Sequence, residues 1–482
     1  MRIRDHKTKI VGTIGPASES PEVLEALIRA GVDIARLNFS HGDFSGHAQV
    51  IERIRAAAKQ TGRNVSIMAD LPGPKMRLGK IDPEPIHLVA GNEYILTTEE
   101  VVGDARRSSM SFEPLPKVVH AGDKLFLNDG LVQLVVERVA GADVHCRVFV
   151  GGELRSRKGL NIPGINLGVS AFTDHDRACL EFALGQGVDA VSQSFVEGAE
   201  DIECVRAAAA KTGRRPFVIA KIERSVAVDR YEEILKAADG IMVARGDLGV
   251  EIPMEEIAIV QKMVIAKANA AGKPVITATQ MLESMTTNRL PTRAECTDVA
   301  NAILDGTDCI MLSGECAMGK YPVESVEMLA KIARATERSR GGSTDHGDAS
   351  KPTTAAEAAG LVVQHALQTV PCAAVFVPSV SGDTARMISR SKPPVWIVAV
   401  TEDAAACSGL QFSYGVDPLL MQPVPEEWRD FAIDWLCQQQ VDGKIALLIA
   451  AASPSRQSAN HRIEFIRLGK DLIEPSFGSP AA

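Results

Sequence analysis

Residues 217–252, FVIAKIERSVAVDRYEEILKAADGIMVARGDLGVEI, read as a strand, a helix, a second strand and the start of another helix. The run from Phe217 to Ile222 is apolar, too short for a helix and interrupted by one charge, which is typical of a strand buried on both faces. GIMVARGD repeats this pattern after the intervening helix. The stretch therefore predicts two consecutive strands of a parallel α/β fold.

The charged residues of this stretch follow the predicted strands. Lys221 and Glu223 are two residues apart, so their side chains project to the same side, and Asp247 arrives at the end of the next strand. Two carboxylates without a nearby thiol or imidazole favour Mg²⁺ or Mn²⁺ over Zn²⁺. The glycine-flanked turn 244–249, ARGDLG, offers backbone N–H groups that can hold a carboxylate or phosphate. For any single pair, a surface salt bridge is the alternative.

The composition describes an acidic protein with large apolar cores. Its 482 residues are enough for two or three domains, and a hydrophobic content of 45% can fill them. The net charge of −9 argues against a nucleic-acid coat or a basic membrane surface and favours small-molecule partners. No leader is evident and no apolar stretch reaches the roughly 20 residues of a membrane span, so a cytoplasmic protein is expected. The nine scattered cysteines are interpreted as reduced thiols.

Alternating strands and helices continue along most of the chain. Eight strand–helix units occur in order, which fits a (β/α)₈ TIM barrel better than an open sheet. We predict this barrel over residues 1–71 and 169–340. Functional groups of such barrels collect at the carboxyl ends of the strands. The candidates at those positions are Arg36, Asn38, Ser40, Asp70, Lys221, Glu223, Asp247 and Thr279.

Two further domains are predicted where the alternation of strands and helices changes. Residues 72–168 contain short β-rich runs with turn signals, such as Asn128-Asp129-Gly130, and are interpreted as an all-β domain inserted after the third strand. The polar, glycine-rich residues 339–352 are interpreted as a linker. Strands and helices then resume, so residues 341–482 are predicted as a C-terminal α/β domain.

One loop of the C-terminal domain has the composition of an anion site. The sequence PSVSGDTAR, residues 378–386, lies between a predicted strand and a predicted helix. A phosphate could be held by hydroxyl and N–H groups of Ser379, Ser381, Gly382 and Thr384. Asp383 in the middle of the loop argues against this, so an ordinary N-cap loop is the alternative.

Several runs of the barrel resemble the pyruvate kinase family, in the family's order: TKIVGTIGPAS, ARLNFSHG, VIAKIE, GIMVARGDLGVEI, PVITATQMLESM, PTRAE and DCIMLSGE. The resemblance covers nearly the whole chain and is strongest in the barrel. It implies a barrel interrupted after strand three by a lid domain. It also implies a cytoplasmic phosphotransferase that converts phosphoenolpyruvate and ADP to pyruvate and ATP in the last step of glycolysis.

The resemblance assigns a reaction centre to the strand ends. Glu223 and Asp247 would hold Mg²⁺, for which Mn²⁺ can substitute, together with the carboxylate and the keto or enol oxygen of the substrate. Lys221 would neutralise the charge of the phosphoryl group during its transfer, and Arg36 would bind the same group. The N–H groups of Gly246 and Asp247 would hold the substrate carboxylate.

Further roles concern the proton and the nucleotide. Thr279 would take part in protonating the enolate, through water. Closure of the inserted lid over ADP would exclude water from the reaction. The residues placed near the nucleotide are His41, Arg77, Asp129 and Lys158.

The resemblance also predicts how the chain meets the family's need for K⁺. Members that require K⁺ hold it with residues matching Asn38, Ser40, Asp70 and the carbonyl of Leu71, and they carry a glutamate at the position of Lys75. Lys75 is similar to the lysine of members that work without K⁺, because a tethered ammonium supplies the same charge. We predict K⁺-independent activity. A lysine directed outward from the loop is the alternative.

The resemblance is weaker in the C-terminal domain. Members activated by sugar phosphates use a loop like 379–384 and a later glycine-rich loop, whereas residues 452–461, ASPSRQSANH, are poor in glycine. A sugar phosphate or a nucleotide is therefore the expected class of effector, and the resemblance does not identify the compound. Homotetramers are usual in the family. The alternatives in function are a Mg²⁺-dependent lyase or aldolase acting on pyruvate enolate, which needs no nucleotide lid, and a catalytically silent metabolite-binding scaffold.

Overall fold

The structure is a computed structural model and describes residues 2–165, 168–340, 352, 354–450 and 462–468. The stretch 452–461 and most of the predicted linker 339–352 lie outside these residues.

The chain begins with two strand–helix units and a third strand. Ser20 caps the first helix by accepting the N–H of Val23, and Pro21 occupies its first turn. Gly62 ends the second helix in the left-handed region, at φ 63°. These elements are β1 (Lys9–Thr13), α1 (Pro21–Ala30), β2 (Val32–Asn38), α2 (Phe44–Thr61) and β3 (Ser66–Leu71).

A β-rich unit follows β3. Its elements are β4 (Ile86–Leu88), β5 (Glu93–Thr97), β6 (Arg107–Ser109), α3 (Leu115–Val118), β7 (Lys124–Leu127), β8 (Val132–Ala140), β9 (Asp143–Val150), β10 (Gly152–Leu154) and β11 (Leu160–Asn161). Within residues 72–165, all of which are described, six strands form a sheet in the order β11-β7-β8-β9-β5-β6, and β4 pairs with β10. The single helical turn α3 departs from the all-β prediction, because Pro114 and Pro116 favour a short turn there.

The barrel resumes after this unit. Its elements are α4 (Asp174–Gly185), β12 (Ala190–Gln193), α5 (Ala199–Lys211), β13 (Phe217–Ile222), α6 (Ser225–Asp229), α7 (Tyr231–Ala237), β14 (Gly240–Ala244), α8 (Arg245–Glu251), a 3₁₀ turn (Met254–Glu256), α9 (Ile257–Ala270), β15 (Val275–Ala278), a second 3₁₀ turn (Glu283–Thr286), α10 (Arg293–Asp305), β16 (Cys309–Leu312), α11 (Gly314–Ala317) and α12 (Pro322–Ser339). The strands β1, β2, β3, β12, β13, β14, β15 and β16 form a closed, parallel barrel, which confirms the predicted TIM barrel.

The described part of the C-terminal region is an α/β unit. Its elements are α13 (Ala355–Thr369), β17 (Ala374–Pro378), α14 (Asp383–Ser389), β18 (Trp396–Thr401), α15 (Ala404–Leu410), β19 (Val416–Leu420), α16 (Trp428–Gln439), β20 (Ile445–Ala450) and β21 (Arg462–Arg467). The sheet has the order β19-β18-β17-β20-β21, with β21 antiparallel at one edge. Helices pack on it, as predicted for an α/β domain.

The barrel and the C-terminal domain share apolar packing. Alternate strand residues such as Val11, Met68 and Met242 form a cluster inside the barrel, and Phe412 of the C-terminal domain belongs to the same cluster. Phe412 stacks on Phe217, the first residue of β13, with ring centroids 5.2 Å apart. The C-terminal domain therefore closes the end of the barrel where the strands begin. Among the described residues, no helix is both long enough and apolar enough to cross a membrane.

Candidate active site

The candidate residues meet at one rim of the barrel, because the carboxyl ends of parallel strands lie together. We call this the carboxyl rim and the opposite end the amino rim. Arg36 and Asn38 lie on β2, Asp70 and Leu71 on β3, and Lys221 on β13. Glu223 and Thr279 directly follow β13 and β15, and Asp247 lies in the first turn of α8, which follows β14. Ser40 follows β2 in the loop before α2.

Asp70 is the centre of a buried ion network. Arg36 donates from Nε and Nη2 to Asp70 Oδ2 at 2.9 and 2.5 Å, and Ser192 donates to Asp70 Oδ1 at 2.7 Å. Burial alone would raise the pKa of Asp70, but Lys221 and Arg36 hold it well below the usual aspartate range. Asp70 therefore stays ionised and fixes both cations at the rim.

Lys221 is buried with its ammonium fully engaged. Its Nζ lies 2.7 Å from Ser194 Oγ, 2.8 Å from Glu223 Oε1 and 3.3 Å from Asp70 Oδ1. Burial favours the neutral amine, yet Asp70 and Glu223 keep the pKa of Lys221 above the ordinary lysine value. The second oxygen of Glu223 accepts the N–H of Phe195 at 2.7 Å. Lys221 is thus a rigid, permanently charged group.

The half-buried Asp247 and the buried Glu223 are like charges close enough to repel each other. Burial and then the Glu223 carboxylate raise the pKa of Asp247 to about 6, despite the opposing effect of Lys221 and Lys75. Among the described residues, no group of three or more His, Cys, Asp or Glu side chains forms a complete metal cage. Two carboxylates with positions left for substrate oxygens and water are what Mg²⁺ sites typically provide. The residues present therefore fit Mg²⁺.

The segment 244–249 differs from the predicted open turn. It forms the first part of helix α8, because its glycines keep negative φ and the hydroxyl of Thr279 accepts the N–H of Gly246 at 2.7 Å. A Cβ at Gly249 would lie 2.9 Å from Ile257 Cδ1, so the glycine permits close packing on α9. The Gly246 N–H is therefore engaged by Thr279.

Thr279 occupies a strained backbone position. Its φ is 69°, which is rare for a β-branched residue and is characteristic of functional sites. The hydroxyl donates to the carbonyl of Ala278 at 2.6 Å. Arg245 holds the same segment by donating to the Thr279 carbonyl at 2.7 Å while pairing with Asp298 at 2.8 Å.

Of the four predicted nucleotide residues, Arg77, Asp129 and Lys158 belong to the inserted unit and His41 belongs to the β2–α2 loop of the barrel. Asp129 sits at φ 57° in the β7–β8 turn, and a Cβ at neighbouring Gly130 would lie 3.6 Å from Val250 of α8. This turn is close enough for Asp129 to contribute to the raised pKa of Asp247. Arg77 Nη1 donates to the carbonyl of Arg157, next to Lys158, at 3.1 Å.

The His41 imidazole is surrounded by positive charge. Burial lowers the pKa of His41, and Lys75, Arg77 and Arg36 lower it further. Such a cluster of cations around an exposed imidazole attracts the phosphates of a nucleotide.

Lys75 lies near the charged residues of the carboxyl rim. The side chain is accessible to solvent, but the surrounding walls and Lys221 lower the pKa of Lys75, and Glu223, Asp247 and Asp70 oppose this effect. Asn38 pairs with Asp70 across β2 and β3, and its Oδ1 accepts the N–H of Ser40 at 3.1 Å.

Arg224 forms a second buried network that joins the inserted unit to the barrel. Its Nη2 donates to the carbonyls of Ile162 and Ile165 at 3.2 and 2.8 Å, where the chain returns from the inserted unit. Its Nη1 pairs with Glu197 at 2.6 Å, and its Nε lies 3.5 Å from Glu251 at the end of α8. Burial raises the pKa of Glu197 and of Glu251, although Arg224 opposes the shift. Arg224 therefore links the segment that returns from the inserted unit to the helix that carries Asp247.

The loop between β17 and α14 bonds mainly to itself. Ser379 Oγ accepts the N–H of Gly382 at 2.9 Å, and Ser381 Oγ donates to Asp383 at 2.7 Å. Asp383 also pairs with Arg386 at 2.7 Å, and Thr384 is buried. These internal bonds differ from an open phosphate cradle, and Gly382 at the start of α14 has no side-chain cap.

Sequence reasoning missed several polar partners of the site. Their only local signal is a polar residue at the end of an apolar strand, as in DAVSQSF, or an arginine beside a carboxylate. The missed residues are Ser192, Ser194, Phe195, Arg224 and Arg245.

Comparisons with known proteins identify the family. The sequence matches "Pyruvate kinase, barrel domain" over residues 5–326 and "Pyruvate kinase, alpha/beta domain" over residues 357–460. A pyruvate kinase of Thermococcus litoralis is 50% identical over 427 residues, covering 87% of this chain and 90% of the relative. A pyruvate kinase of Geobacillus stearothermophilus is 44% identical, covering 98% of this chain and 82% of the relative.

A solved structure of a pyruvate kinase from Cryptosporidium parvum matches with a TM-score of 0.89 and 34% identity, covering 96% of this chain and 97% of that one. The match extends over the barrel, the inserted unit and the C-terminal domain together. The chain therefore belongs to the pyruvate kinase family, the phosphotransferases that convert phosphoenolpyruvate and ADP to pyruvate and ATP in glycolysis.

Proposed function

We propose that the chain transfers the phosphoryl group of phosphoenolpyruvate to ADP at the carboxyl rim, with Lys221, Glu223 and Asp247 as the reaction centre. The observation that carries this proposal is the buried Lys221 ammonium beside two crowded carboxylates. Crowding like charges in a buried site costs free energy, and such costs are typical of functional sites. An ion pair between Lys221 and Glu223 that only stabilised the fold would not require Asp247 nearby.

Glu223 and Asp247 are the proposed ligands of Mg²⁺, with Mn²⁺ as a substitute. Bound there, the ion would polarise substrate oxygens as a Lewis acid and neutralise charge. The raised pKa of Asp247 is consistent with this role, because a bound cation favours the ionised carboxylate. The ligand set leaves room for the carboxylate and enolate oxygens of the substrate.

Lys221 and Arg36 are proposed to stabilise the phosphoryl group. Lys221 is held by three oxygen atoms and cannot turn away, so its charge is preorganised for the oxygens of the transferring group. Arg36 has five N–H donors, and its hydrogen bonds to Asp70 and Thr13 engage only some of them. The remaining donors can bind phosphoryl oxygens without breaking the pair with Asp70.

Thr279 and the first turn of α8 are proposed to handle the carboxylate and the proton. For the N–H groups of Gly246 and Asp247 to hold the substrate carboxylate, the hydroxyl of Thr279 must release Gly246. The released hydroxyl is then free to orient a water that protonates the enolate. The positive φ of Thr279 aims it at this position.

The inserted unit, residues 72–168, is proposed as a lid over the nucleotide. Asp129 and Lys158 on the lid, with His41 and Arg77 facing them, would bind ADP and its phosphates. Closure would exclude water, so that the phosphoryl group reaches ADP instead of being hydrolysed.

Lys75 is proposed to replace K⁺. Its ammonium is near enough to Asp70, Glu223 and Asp247 for each to affect its pKa, so it adds positive charge to the same site. The positions that would otherwise coordinate the ion are Asn38, Ser40, Asp70 and the carbonyl of Leu71.

Pyruvate formation from phosphoenolpyruvate, ADP and Mg²⁺ tests these proposals. We expect full activity in a tetramethylammonium buffer without K⁺, and we expect Lys75→Glu to create a K⁺ requirement. Activity of the unaltered chain only with K⁺ would keep the kinase and discard the role of Lys75. No pyruvate in either buffer, with sugar phosphates and nucleotides also supplied, would favour the lyase or the scaffold.

The remaining proposals concern organisation. We propose domains at 1–71 with 169–340, at 72–168 and at 341–482, in a cytoplasmic homotetramer. The loop with Ser379, Ser381, Gly382 and Thr384 is retained as the proposed contact of a sugar-phosphate or nucleotide effector, with no nucleic-acid or membrane partner. Light scattering at micromolar concentration tests the tetramer.

A further inference from the structure

The carboxyl end of β12 contacts both the reaction centre and the base of the inserted unit. Three consecutive residues, Gln193, Ser194 and Phe195, make these contacts, and we call them the β12 junction. Ser194 Oγ lies 2.7 Å from Lys221 Nζ, and the N–H of Phe195 donates to Glu223 Oε2 at 2.7 Å. The other oxygen of Glu223 lies 2.8 Å from Lys221 Nζ. The Glu223 carboxylate is therefore held from both sides, and the β12 junction supplies one of them.

Phe195 makes its hydrogen bond from an unusual backbone conformation. Its φ is 57°, in the left-handed region that residues other than glycine rarely adopt. Such a conformation costs free energy and persists only where the surrounding contacts hold it. Here the contacts are the hydrogen bond to Glu223 and the packing of the half-buried Phe195 ring. A displacement of the ring therefore also displaces the N–H that Glu223 accepts.

The Phe195 ring packs on the segment that leads into the inserted unit. A Cβ at Gly73 would lie 2.9 Å from Phe195 Cδ2 and 3.0 Å from the carbonyl oxygen of Ser194. Gly73 is two residues beyond the end of β3 and has a φ of 65°. Its N–H donates to Asp176 Oδ1 in the first turn of α4, at 2.9 Å. Glycine is thus required both by the backbone conformation and by the close approach of the β12 junction.

The β12 junction also holds the segment that follows the inserted unit. The buried Gln193 donates from Nε2 to the carbonyl of Ala171 at 2.8 Å, and the N–H of Ala171 donates to Asp201 at 3.1 Å. Both connections between the barrel and the inserted unit therefore contact the same strand end, next to the groups that hold Lys221 and Glu223.

We propose that Phe195 is a positioning residue for Glu223, and that the base of the inserted unit acts on Glu223 through Gly73 and Phe195. A movement of the inserted unit about its base shifts the Phe195 ring, and with it the N–H that orients the carboxylate. Partners that orient a metal ligand set the affinity of the site, so the affinity for a divalent cation depends on where the inserted unit lies. This inference rests on the proposed role of Glu223 as a ligand of Mg²⁺.

Binding of Mn²⁺ to the full chain without substrates tests the inference, measured from the electron paramagnetic resonance signal of the free ion. Gly73→Ala places a methyl group against Phe195, and we expect Mn²⁺ binding to weaken about tenfold, as is typical when a partner of a metal ligand is disturbed. The matched control is Gly62→Ala. Gly62 has nearly the same φ, 63°, but a Cβ there would have no described atom within 4 Å apart from its neighbours in the chain. Gly62→Ala should bind Mn²⁺ like the unaltered chain.

A double variant distinguishes the contact with Phe195 from a general loss of structure. Phe195→Ala makes room for the methyl group, so Gly73→Ala should weaken Mn²⁺ binding less in that background than in the unaltered chain. Equal weakening in the two backgrounds would overturn the proposal, as would equal weakening in Gly73→Ala and Gly62→Ala. A lower melting temperature of Gly73→Ala with unchanged Mn²⁺ affinity would also overturn it, because the role would then be purely structural.

Glu223→Gln separates this inference from the metal site on which it rests. We expect Glu223→Gln to weaken Mn²⁺ binding more than Gly73→Ala does, because it removes a ligand charge. If Glu223→Gln leaves Mn²⁺ binding unchanged, the proposed metal site is wrong and this inference falls with it. Loss of affinity in Glu223→Gln with none in Gly73→Ala would keep the metal site and overturn the role of Phe195 alone.

Discussion

The aspartates that lie at the amino rim of the barrel differ from Asp247 at the carboxyl rim in how their charges are satisfied. At the amino rim, each of four aspartates accepts a backbone N–H of a neighbouring strand: Asp33 from Ile10, Asp189 from Ile67, Asp239 from Val218 and Asp308 from Val275. Each also has a cationic partner, in Arg4, Arg55, Arg206 and Lys392 respectively. At the carboxyl rim, Asp247 lies beside Glu223 and its pKa is raised to about 6.

This difference separates structure from function within one fold. The paired aspartates of the amino rim fasten neighbouring strands together, because each buried carboxylate has both a counter-charge and an N–H donor. Like charges held close together cost free energy, and such arrangements are typical of functional sites. The contacts of a carboxylate therefore indicate whether it fastens strands together, as at the amino rim, or lies in a site suited to a ligand, as Asp247 does.

Lys221→Met should give the largest effect. Removing the preorganised ammonium should lower turnover about 10³-fold, by analogy with the loss of one stabilising donor at a transition state. Binding of Mg²⁺ and phosphoenolpyruvate should stay measurable by calorimetry. Lys211→Met, at an exposed position of α5, is the matched control and should retain wild-type turnover. Turnover of Lys221→Met near wild type would show that the crowded rim is not the reaction centre.

Asp308→Asn should break the amino rim. Asp308 pairs with the buried Lys392 at 2.6 Å and accepts the N–H of Tyr414 at 2.9 Å, so the substitution leaves a buried ammonium without its counter-charge. We expect a loss of about 3 kcal/mol in the free energy of unfolding. Urea unfolding followed by tryptophan fluorescence measures it. The fully exposed Asp174→Asn should change little, and equal losses in both variants would contradict the comparison.

Arg224→Lys tests a residue that combines the two behaviours. Arg224 is ion-paired like the aspartates of the amino rim, but it also connects the inserted unit to the carboxyl rim. Lysine keeps the charge but loses the fork that reaches the carbonyls of Ile162 and Ile165. We expect the KM for ADP to rise about tenfold, on the order of 1.4 kcal/mol, with the KM for phosphoenolpyruvate nearly unchanged. Arg230→Lys, in an exposed pair with Glu200, is the control. Parallel changes in both KM values and in kcat would indicate a purely structural role.

The smallest effect concerns pH. Burial opposes ionisation of Asp33, but Arg4, Lys9 and His6 with the N–H of Ile10 hold its pKa below the ordinary value. A depressed carboxylate pKa stabilises the fold above the unfolded value of about 3.9, and this stabilisation is lost as the pH falls through the folded value. We expect Asp33→Asn to lower the free energy of unfolding by about 1–2 kcal/mol at pH 7, and less below pH 4. A difference that grows on acidification would falsify this assignment.

Much of the carboxyl rim could be predicted because its residues follow directly from strand periodicity. Once Phe217–Ile222 is a parallel strand, Lys221 and Glu223 must lie at its carboxyl end, and the same reasoning places Asp70, Asp247 and Thr279. The helical form of residues 245–251 could not be predicted, since the group that caps Gly246 comes from Thr279, 33 residues later. Local glycines indicate a turn when the distant partner is unknown.

The aspartates of the amino rim could not be recognised from the sequence. They occur in similar settings, GVDI, GVDA, AADG and GTDC, but nothing local distinguishes an aspartate that accepts a neighbouring strand's N–H from one exposed in a loop. The residues that donate these N–H groups lie about 21 to 122 residues away from the aspartates along the chain. Only the closed barrel brings each pair together.

The sequence alone determined the succession of strands and helices, the division into barrel, inserted unit and C-terminal unit, and the residues at the strand ends, because these depend on periodicities of two and 3.6 residues along the chain. Only the tertiary structure decided which charges are satisfied and which are crowded, how Arg224 links the inserted unit to α8, and which strands the aspartates of the amino rim join. Electrostatic energies depend on distance and burial in space, and neither can be read from separation along the chain.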